Sequence, residues 1–418
     1  SQETEFDHRL QNPVAVVISD ADGNYEFTKI PYGDYNLVCY KEGWGFAYTL
    51  NVVVDDVQKA EEFANKEAST NFSKTFDTNL YPERIMPSVV HEDVNLEPGR
   101  VYRFKNDTII FGNVEMESGA ILLLDPECDI SFHAQVLVSG ESNFIRITSS
   151  DKIYQDSRNR DVASFGKLSI NSSSDVSLSN LLISHCSIGI DIVAQEFHTS
   201  RVRIKEASAS GLFLRAQTGS VENVLLSNCQ EYGIYTYNEV IIANSVFMRN
   251  SCAIMLAETI GTVTDNYLYS NDIGLLPFYG ENIISYNCFD ANDFAIAACA
   301  SDPLIERNSF FNNDNDIELN QYLVSAQAAA YCNPEVNLNN FYGSGLYYNL
   351  LGRNSVYTYT DGKPRVGVNS NQSYPNNYYK QTNLVPHIYD GNHPGSSVSY
   401  TVNYLPRANF PIAGVGIR

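Results

Sequence analysis

The sequence predicts an all-β protein whose largest part is a solenoid of stacked coils, a parallel β-helix. Pairs of asparagines five residues apart recur every 21 or 22 residues, as in Asn287 with Asn292 and Asn308 with Asn313. Short, alternating apolar runs separate these pairs, and such runs are typical of strands. A period of about 21 residues with about three short strands is the length of one β-helix coil.

Aligned on this period, the asparagines and the residues that continue them form two columns. The first column is Asn180, Arg201, Asn223, Asn244, Asn266, Asn287 and Asn308. The second is His185, Glu206, Asn228, Asn250, Asn271, Asn292 and Asn313. Asparagine accepts turn and left-handed backbone conformations, and stacked amides hydrogen-bond to one another. Because a buried amide is stable only when it is hydrogen-bonded, we interpret both columns as structural corners of the coil.

An apolar position that follows a small residue also recurs in every coil, and it predicts the strand that carries the core. Its members are Ile190, Leu212, Ile234, Ile254, Leu275, Ile296 and Ile317. Successive side chains of a strand point to opposite faces, so the residues next to these positions point outward.

The ends of the repeat region resemble right-handed parallel β-helix proteins of the secreted or surface bacterial type. Their opening coils are similar to VNLEPGRVYRFKNDTIIFGNVEMESGAILLLDPECDISF, which starts at residue 94. Their closing segment is similar to NNYYKQTNLVPHIYDGNHPG, although Tyr379-Lys380 replaces the usual Trp-Gly. The resemblance implies a right-handed β-helix over 94–350 and a capping segment over 351–418. This fold hosts many functions, so it indicates function only weakly.

Residues 1–54 are predicted to form a separate β-sandwich. The stretch NPVAVVISDADGNYEFTKIPYGDYNLVCYKEGW resembles the carboxypeptidase-regulatory-like module of secreted and surface proteins. Turns are expected at Asp22-Gly23 and at Pro31-x-Gly33, each between alternating strands.

Residues 55–93 are predicted to be a helical linker and lead-in to the solenoid. The helix is expected over 55–68, DDVQKAEEFANKEA, because its apolar residues have helical spacing. These are Val57, Ala60, Phe63 and Ala64.

Charge limits the classes of partner. The 418-residue chain has a formal net charge of −22. Residues 1–99 hold 18 acids against 7 bases, and residues 216–320 hold 14 against 2. Such a surface repels phosphate backbones and anionic headgroups, which argues against nucleic acid and membrane surfaces as partners. No apolar run has the length of a transmembrane segment, and the sequence predicts no oligomeric state.

The 8 cysteines are spread along the chain without CxxC spacing. Because cysteine packs as a small hydrophobic residue, we expect mostly buried free thiols, with one or two disulfides as the alternative.

Motifs of glycan-cleaving enzymes are incomplete, although β-helix proteins include polysaccharide lyases and glycoside hydrolases. A lyase that acts on uronic acids must neutralise a carboxylate, and the only cations in 216–320 are Arg249 and Arg307. Arg203-Ile204-Lys205 matches a short polygalacturonase motif without the aspartates and Gly-His-Gly that precede it in that family. We therefore expect no evident catalytic residues, and a lyase or glycoside hydrolase remains the alternative.

No cofactor is expected from the motifs, and calcium remains an open alternative. Acidic residues recur at the turn after the outer strand of four coils. They are Glu239, Glu258, Glu281 and Asp302. Carboxylates from consecutive coils are suitable calcium ligands, whereas a solvated acidic surface is the competing interpretation.

The outward positions of the same strand are apolar, where polar residues are expected. They are Phe213, Tyr235, Tyr237, Met255, Leu276 and Phe278. Apolar patches of this kind mark interfaces or ligand grooves. We interpret Phe213, Tyr235, Tyr237 and Phe278 as ligand-binding residues, with packing of another part of the chain over the strip as the alternative.

Taken together, the sequence predicts a secreted or surface-anchored bacterial β-helix protein that acts as a carbohydrate-binding or adhesive scaffold. The expected partners are glycans or cell-surface polymers. The start, Ser-Gln-Glu-Thr-Glu, resembles that of a lipoprotein trimmed after its cysteine.

Overall fold

The structure is a computed structural model. It describes residues 6–54 apart from 29 and 32, 80–139, 143–154 and 161–320 apart from 174. Beyond 320 it describes 322–325, 328–330, 334–337, 339–342, 349–351, 359–360 and 363–364. No helix within these ranges has the length and hydropathy needed to cross a bilayer.

The elements begin with a short 3-10 helix, His8–Leu10, and two strands, β1 (Gly33–Lys41) and β2 (Gly45–Val54). The first coils contain β3 (Arg84–Ile85), β4 (Val89–Val90), β5 (Val94–Leu96), β6 (Val101–Phe104), β7 (Thr108–Ile110), β8 (Val114–Glu117), β9 (Ile121–Leu124), β10 (Ile130–Phe132), β11 (Val136–Ser139), β12 (Ile145–Ser149), β13 (Phe165–Asn171), β14 (Val176–Ser179) and β15 (Leu181–Val193). The middle coils contain β16 (Glu196–Ser200), β17 (Arg203–Ala207), β18 (Ser210–Leu214), β19 (Thr218–Glu222), β20 (Leu225–Ser227), β21 (Tyr232–Thr236), β22 (Glu239–Ala243), β23 (Val246–Met248), β24 (Cys252–Ala257), β25 (Gly261–Thr264), β26 (Tyr267–Tyr269), β27 (Ile273–Phe278) and β28 (Ile283–Ser285). The last strands are β29 (Cys288–Asp290), β30 (Phe294–Cys299), β31 (Leu304–Glu306), β32 (Ser309–Phe311), β33 (Asn315–Asn320), β34 (Tyr322–Ser325), β35 (Ala328–Ala330), β36 (Glu335–Asn337), β37 (Asn340–Tyr342), β38 (Asn349–Leu351), β39 (Tyr359–Thr360) and β40 (Lys363–Pro364).

Most of these strands pair in parallel with the equivalent strand of the next coil. Leu225 pairs with Val246, 21 residues later, and Val246 pairs with Tyr267 after the same interval. One sheet has 23 strands and a second has 8. The predicted fold class is confirmed: the described chain is an all-β parallel solenoid with coils of about 21 residues. Its first parallel strand is Arg84–Ile85, which precedes the predicted start at residue 94.

The inside of the coils is a continuous apolar core. The predicted core positions are fully buried: Ile190, Leu212, Ile234, Ile254, Leu275, Ile296 and Ile317. Rings also stack from coil to coil, and the centroids of Phe289 and Phe310 lie 5.1 Å apart with nearly parallel planes. Each coil therefore buries its inner face against its two neighbours, as expected for a repeat protein.

Each corner uses two adjacent residues with different tasks. The first has a positive φ and turns the chain, as Asn244 and Asp265 do at 51° and 55°. The second points into the coil, as Ser245 and Asn266 do. Because Val246 pairs with Tyr267, Asn244 lies beside Asp265 and not beside Asn266. The predicted first column is wrong at this step, since it joins two different positions.

The predicted second column contains the same error. Asn228 has a φ of 55° and Arg249 has a φ of 56°, so these two residues are equivalent. Asn250 instead continues the inward position of Cys229, because Ser227 pairs with Met248. The columns shift at the steps from Asn228 to Asn250 and from Asn244 to Asn266, which span 22 residues although the strand pairing advances by 21 there.

From Asn250 onward, the inward corner residues form the predicted hydrogen-bonded ladder. The Nδ2 group of Asn271 donates to Oδ1 of Asn292 at 2.9 Å, and Nδ2 of Asn292 donates to Oδ1 of Asn313 at 3.0 Å. Asn292 Nδ2 also donates to the Leu268 carbonyl at 3.0 Å. A second ladder, at the other corner of the coils, runs from Asn266 to Asn287, Asn308 and Asn339. Every side-chain amide of these two ladders therefore has hydrogen-bond partners inside the coil, which confirms the structural interpretation for these residues.

The described part of the ladder through Asn313 ends on a carboxylate. Nδ2 of Asn313 donates to Oδ1 of Asp316 at 3.0 Å. Asp316 is buried and occupies the small-residue position before Ile317. Burial raises the pKa of Asp316 to about 7, against an opposing effect of the Asn313 hydrogen bond.

In the earlier coils the same inward corner positions are apolar. They are Leu181, Val202 and Val224 in one corner, and Cys186, Ala207 and Cys229 in the other. All seven cysteines within the described ranges are free, as predicted.

Within residues 6–54 the described chain forms one antiparallel hairpin, β1 with β2. The turn predicted at Asp22-Gly23 is present, since Asp20 N donates to Asn24 O at 2.9 Å and Gly23 has a φ of 87°. A sandwich needs a second sheet, so the β-sandwich module stays a prediction. The helix predicted over 55–68 and most of the predicted capping segment lie outside the described residues.

The N-terminal segment is fixed to the solenoid by a buried ionic group. Arg9 bonds Asp7 at 2.8 Å, and His185 Nε2 lies 2.9 Å from the Asp7 carboxylate. Arg9 Nη1 also donates to the Ser149 carbonyl at 2.8 Å. Charged groups with so little exposure require partners of this kind.

Candidate functional site

The predicted apolar strip lies on the outer face of β18, β21, β24 and β27. Cross-strand pairs join Phe213 to Tyr235, Tyr235 to Met255 and Met255 to Leu276. These four side chains therefore form one column along the solenoid axis, with about 4.8 Å between neighbouring coils.

Tyr237 and Phe278 lie in the adjacent column, and Ala257 separates them. Thr236 pairs with Leu256, which places Tyr237 beside Ala257, and Ala257 pairs with Phe278. The Phe278 ring contacts Tyr279 edge-on at 4.7 Å. The structure therefore brings Phe213, Tyr235 and Tyr237 together and places Phe278 two coils away on the same face.

Three aromatic rings surround the Tyr235 ring. Phe213 stacks on it at 5.1 Å between centroids, and Tyr237 meets it edge-on at 4.9 Å. Tyr232, which the sequence analysis did not select, meets it edge-on at 5.0 Å. We call Phe213, Tyr232, Tyr235 and Tyr237 the aromatic platform. Tyr237 is 41% exposed and the other three are half-buried.

The hydroxyl groups of Tyr232 and Tyr235 stay protonated near neutral pH. Burial raises the pKa of Tyr235, and a hydrogen bond with Tyr237 and the charge of Glu258 raise it further. Burial also raises the pKa of Tyr232. A neutral phenol donates and accepts hydrogen bonds, so the platform combines apolar rings with polar tips.

A charged group borders the platform on the preceding coils. Arg215 Nη2 lies 2.6 Å and 2.8 Å from the two oxygens of Asp191, and Lys167 Nζ lies 3.1 Å from the same carboxylate. The guanidinium of Arg215 lies over the Phe213 ring at 5.4 Å. We call Lys167, Asp191 and Arg215 the polar edge.

The polar edge has a hydrogen-bond donor that no described residue of the protein uses. Asp191 is 4% exposed whereas Arg215 is 44% exposed. Two cations share one carboxylate, and Arg215 Nη1 has no hydrogen-bond partner among the described residues. The buried carboxylate fixes the guanidinium in one orientation, which favours binding of a ligand acceptor.

The four candidate calcium ligands are not brought together. Val240 pairs with Gly261 and Thr262 with Ile283, so Ile260 lies between Glu239 and Glu281. Glu281 is adjacent to Asp302 only. Glu258 lies at a turn with a φ of 56°, two residues before this column. In the part of the chain that is described, no three His, Cys, Asp or Glu side chains are placed to hold a metal ion.

The short motif Arg203-Ile204-Lys205 lies on β17. Ile204 is fully buried in the core, and the Arg203 guanidinium lies 5.0 Å from the Phe144 ring. The motif therefore contributes a core residue and a cation–π contact at this position.

Comparison with known proteins agrees with this architecture. A family model described as "Right handed beta helix region" matches residues 194–373. Together with the stacked parallel coils, the match supports a right-handed parallel β-helix repeat protein. No curated protein and no solved structure matches the chain.

Proposed function

We propose that this β-helix protein is a carbohydrate-binding or adhesive scaffold whose ligand, a glycan or cell-surface polymer, contacts the aromatic platform. One observation carries the proposal. Three aromatic rings lie within 5.1 Å of the Tyr235 ring on an outer sheet face that is still partly open to solvent.

The chemistry of the platform suits a sugar. A sugar ring has an apolar C–H face and a rim of hydroxyl groups. The rings of Phe213, Tyr235 and Tyr237 offer a large apolar area to the C–H face of the sugar. The tyrosine hydroxyls and the cations of the polar edge offer hydrogen-bond donors to the sugar hydroxyl groups.

Phe278 extends the same contact surface. It lies two coils beyond Tyr237 in one column, which is roughly 10 Å at the spacing of neighbouring strands. A ligand of several sugar units that lies along the solenoid axis reaches both rings. The proposal therefore keeps Phe278 as a ligand-binding residue.

The proposal includes a location outside the cell or at its surface. Glycans and surface polymers are encountered there, and the resemblance of the opening coils to secreted bacterial β-helix proteins supports it. The acidic surface of residues 216–320, with 14 acids against 2 bases, also favours solubility in that setting.

A glycan array tests the proposal. The full chain, Tyr235→Ala and Leu137→Ala are applied to the same array. Leu137 is 52% exposed on another sheet, so its variant is a matched loss of an exposed apolar side chain. We expect a glycan that binds the wild type and Leu137→Ala but binds Tyr235→Ala at least about tenfold more weakly. Equal binding by all three proteins, or binding by none, would overturn the proposal. New reducing ends or unsaturated sugars after incubation with polysaccharides would instead show that the protein is a glycan-cleaving enzyme.

A further inference from the structure

A second group of exposed rings lies on the first coils. Phe111 stacks on His91 with centroids 5.2 Å apart and planes 8° from parallel. His133 lies on the other side of Phe111 at 5.4 Å. We call these three side chains the second platform. Phe111 is 47% exposed, and both histidines are exposed.

Further apolar side chains lie beside the second platform. Val89 pairs with Ile109 on the outer face of β4 and β7, and both are exposed. The Phe111 ring and the two aliphatic side chains thus form one apolar area, flanked by the imidazole rings of His91 and His133. An area of this kind marks an interaction surface.

The second platform is in line with the aromatic platform. Phe132 pairs with Ile170, which places His133 beside Asn171. Asn171 pairs with Val193, and the pairs Ile192 to Leu214 and Leu214 to Thr236 continue the column to Arg215 and Tyr237. His133 and Tyr237 are therefore four coils apart, or roughly 19 Å. His91 lies two coils further, which makes the whole column roughly 29 Å long.

The stretch between the two platforms is mainly polar. Asn171 and Val193 lie in the column itself, and the polar edge lies between Asn171 and the aromatic platform. Arg215 is both a member of this column and the residue that stacks on Phe213. An extended ligand would therefore meet rings at both ends and hydrogen-bond donors in the middle.

From this alignment we infer that one extended polysaccharide chain lies along the solenoid axis and contacts both platforms at once. The inference rests on the proposed function and specifies its ligand class: a linear polymer, and not a terminal mono- or disaccharide. Binding at two linked subsites strengthens the affinity for a chain long enough to span them and leaves the affinity for a short chain unchanged.

Chain length is the variable that tests this inference. The probes are linear trisaccharides and decasaccharides of β-1,4-linked xylose, of β-1,3-linked glucose and of galacturonate, titrated calorimetrically into the full chain. The variants are Phe111→Ala, His133→Ala and Tyr235→Ala, with Leu137→Ala as the exposed control. Melting temperatures are measured for each protein, and we expect those of Phe111→Ala and Leu137→Ala to differ little from the wild type because both side chains are exposed.

We expect Phe111→Ala and His133→Ala to weaken decasaccharide binding about tenfold, as the loss of one aromatic contact does, without changing trisaccharide binding. Tyr235→Ala should weaken the binding of both lengths. If Tyr235→Ala weakens both lengths while Phe111→Ala and His133→Ala bind the decasaccharide like the wild type, the second platform is not a subsite and the proposed function survives. If no sugar binds the wild type, the proposed function itself is overturned.

Discussion

The corners of the coils before and after residue 245 are built from different chemistry. Up to Cys229 the inward corner residues are apolar, whereas from Asn250 onward they are asparagines that bond to one another. The backbone at both kinds of corner has the same left-handed residue just before it, for example Asn228 and Arg249. The left-handed residue that precedes the inward position therefore makes the turn. The inward position itself can hold either an apolar core residue or an asparagine of the ladder.

An amide ladder must be continuous, whereas an apolar corner needs no particular neighbour. The described ladder begins where Asn250 Nδ2 donates to the Leu226 carbonyl at 3.1 Å and Asn250 Oδ1 accepts from Cys229 N at 3.0 Å. Each later amide takes its partners from the coils on both sides. A single apolar residue within the ladder leaves polar groups unpaired, whereas an apolar corner among apolar corners leaves none.

The largest expected effect comes from breaking the ladder in its middle. Asn292→Leu removes the acceptor of Asn271 N and Nδ2 and the donor to Asn313. Unpaired buried groups cost about 1 to 3 kcal/mol each. After partial relaxation we expect the free energy of unfolding in urea to fall by about 4 kcal/mol.

Cys229→Ala is the matched change at an apolar corner. It removes one buried sulfur atom and no hydrogen-bond acceptor of the ladder. We therefore expect the free energy of unfolding to fall by about 1 kcal/mol. Similar losses for Cys229→Ala and Asn292→Leu would remove the distinction between the two kinds of corner.

The acid at the end of the ladder should make stability depend on pH. The folded pKa of Asp316 is about 7, above the ordinary value of 3.8. Its contribution to stability is complete below about pH 4 and is lost as pH rises through about 7. At about 1.4 kcal/mol per pKa unit, the change of the pKa from 3.8 to about 7 makes this loss roughly 4 kcal/mol. Urea melts of wild type and Asp316→Asn over this range measure it, and identical pH profiles would contradict the assignment.

The outer platform should contribute less to stability than the ladder does. Tyr235 is half-buried against three rings. Tyr235→Ala should therefore cost about 1 to 2 kcal/mol, less than about 3 for a core aromatic and more than about 0.5 for an open surface. Thermal unfolding measures this cost. A loss as large as that of Asn292→Leu would show that the platform is a covered core.

The sequence predicted the fold well because a repeat period is visible without knowledge of contacts. It could not separate the two adjacent corner positions, since asparagine suits both a left-handed turn and an inward ladder. Asn244 and Asn266 therefore looked equivalent although they are not. The alternation of side chains along a strand did place Phe213 and Tyr235 correctly on one outer face.

The polar edge and the second platform could not be predicted from the period. Lys167, Asp191 and Arg215 are 24 residues apart at each step. Asp191 pairs with Ser169 and Phe213, which are 22 residues away, and Lys167 and Arg215 lie two residues before and after these partners. From His133 to Asn171 the same column takes 38 residues. A fixed spacing of 21 misses these neighbours, which only the pairing of strands reveals.

The glycan affinity of Tyr237→Ala, measured beside its melting temperature, tests most directly whether this outer face binds the ligand. Tyr237 is the most exposed ring of the aromatic platform, so its removal should change stability by only about 0.5 kcal/mol. We predict about tenfold weaker binding, by titration, of the glycan that the array identifies, with a nearly unchanged melting temperature. Wild-type affinity in Tyr237→Ala would contradict the claim that this outer face is the ligand-binding surface.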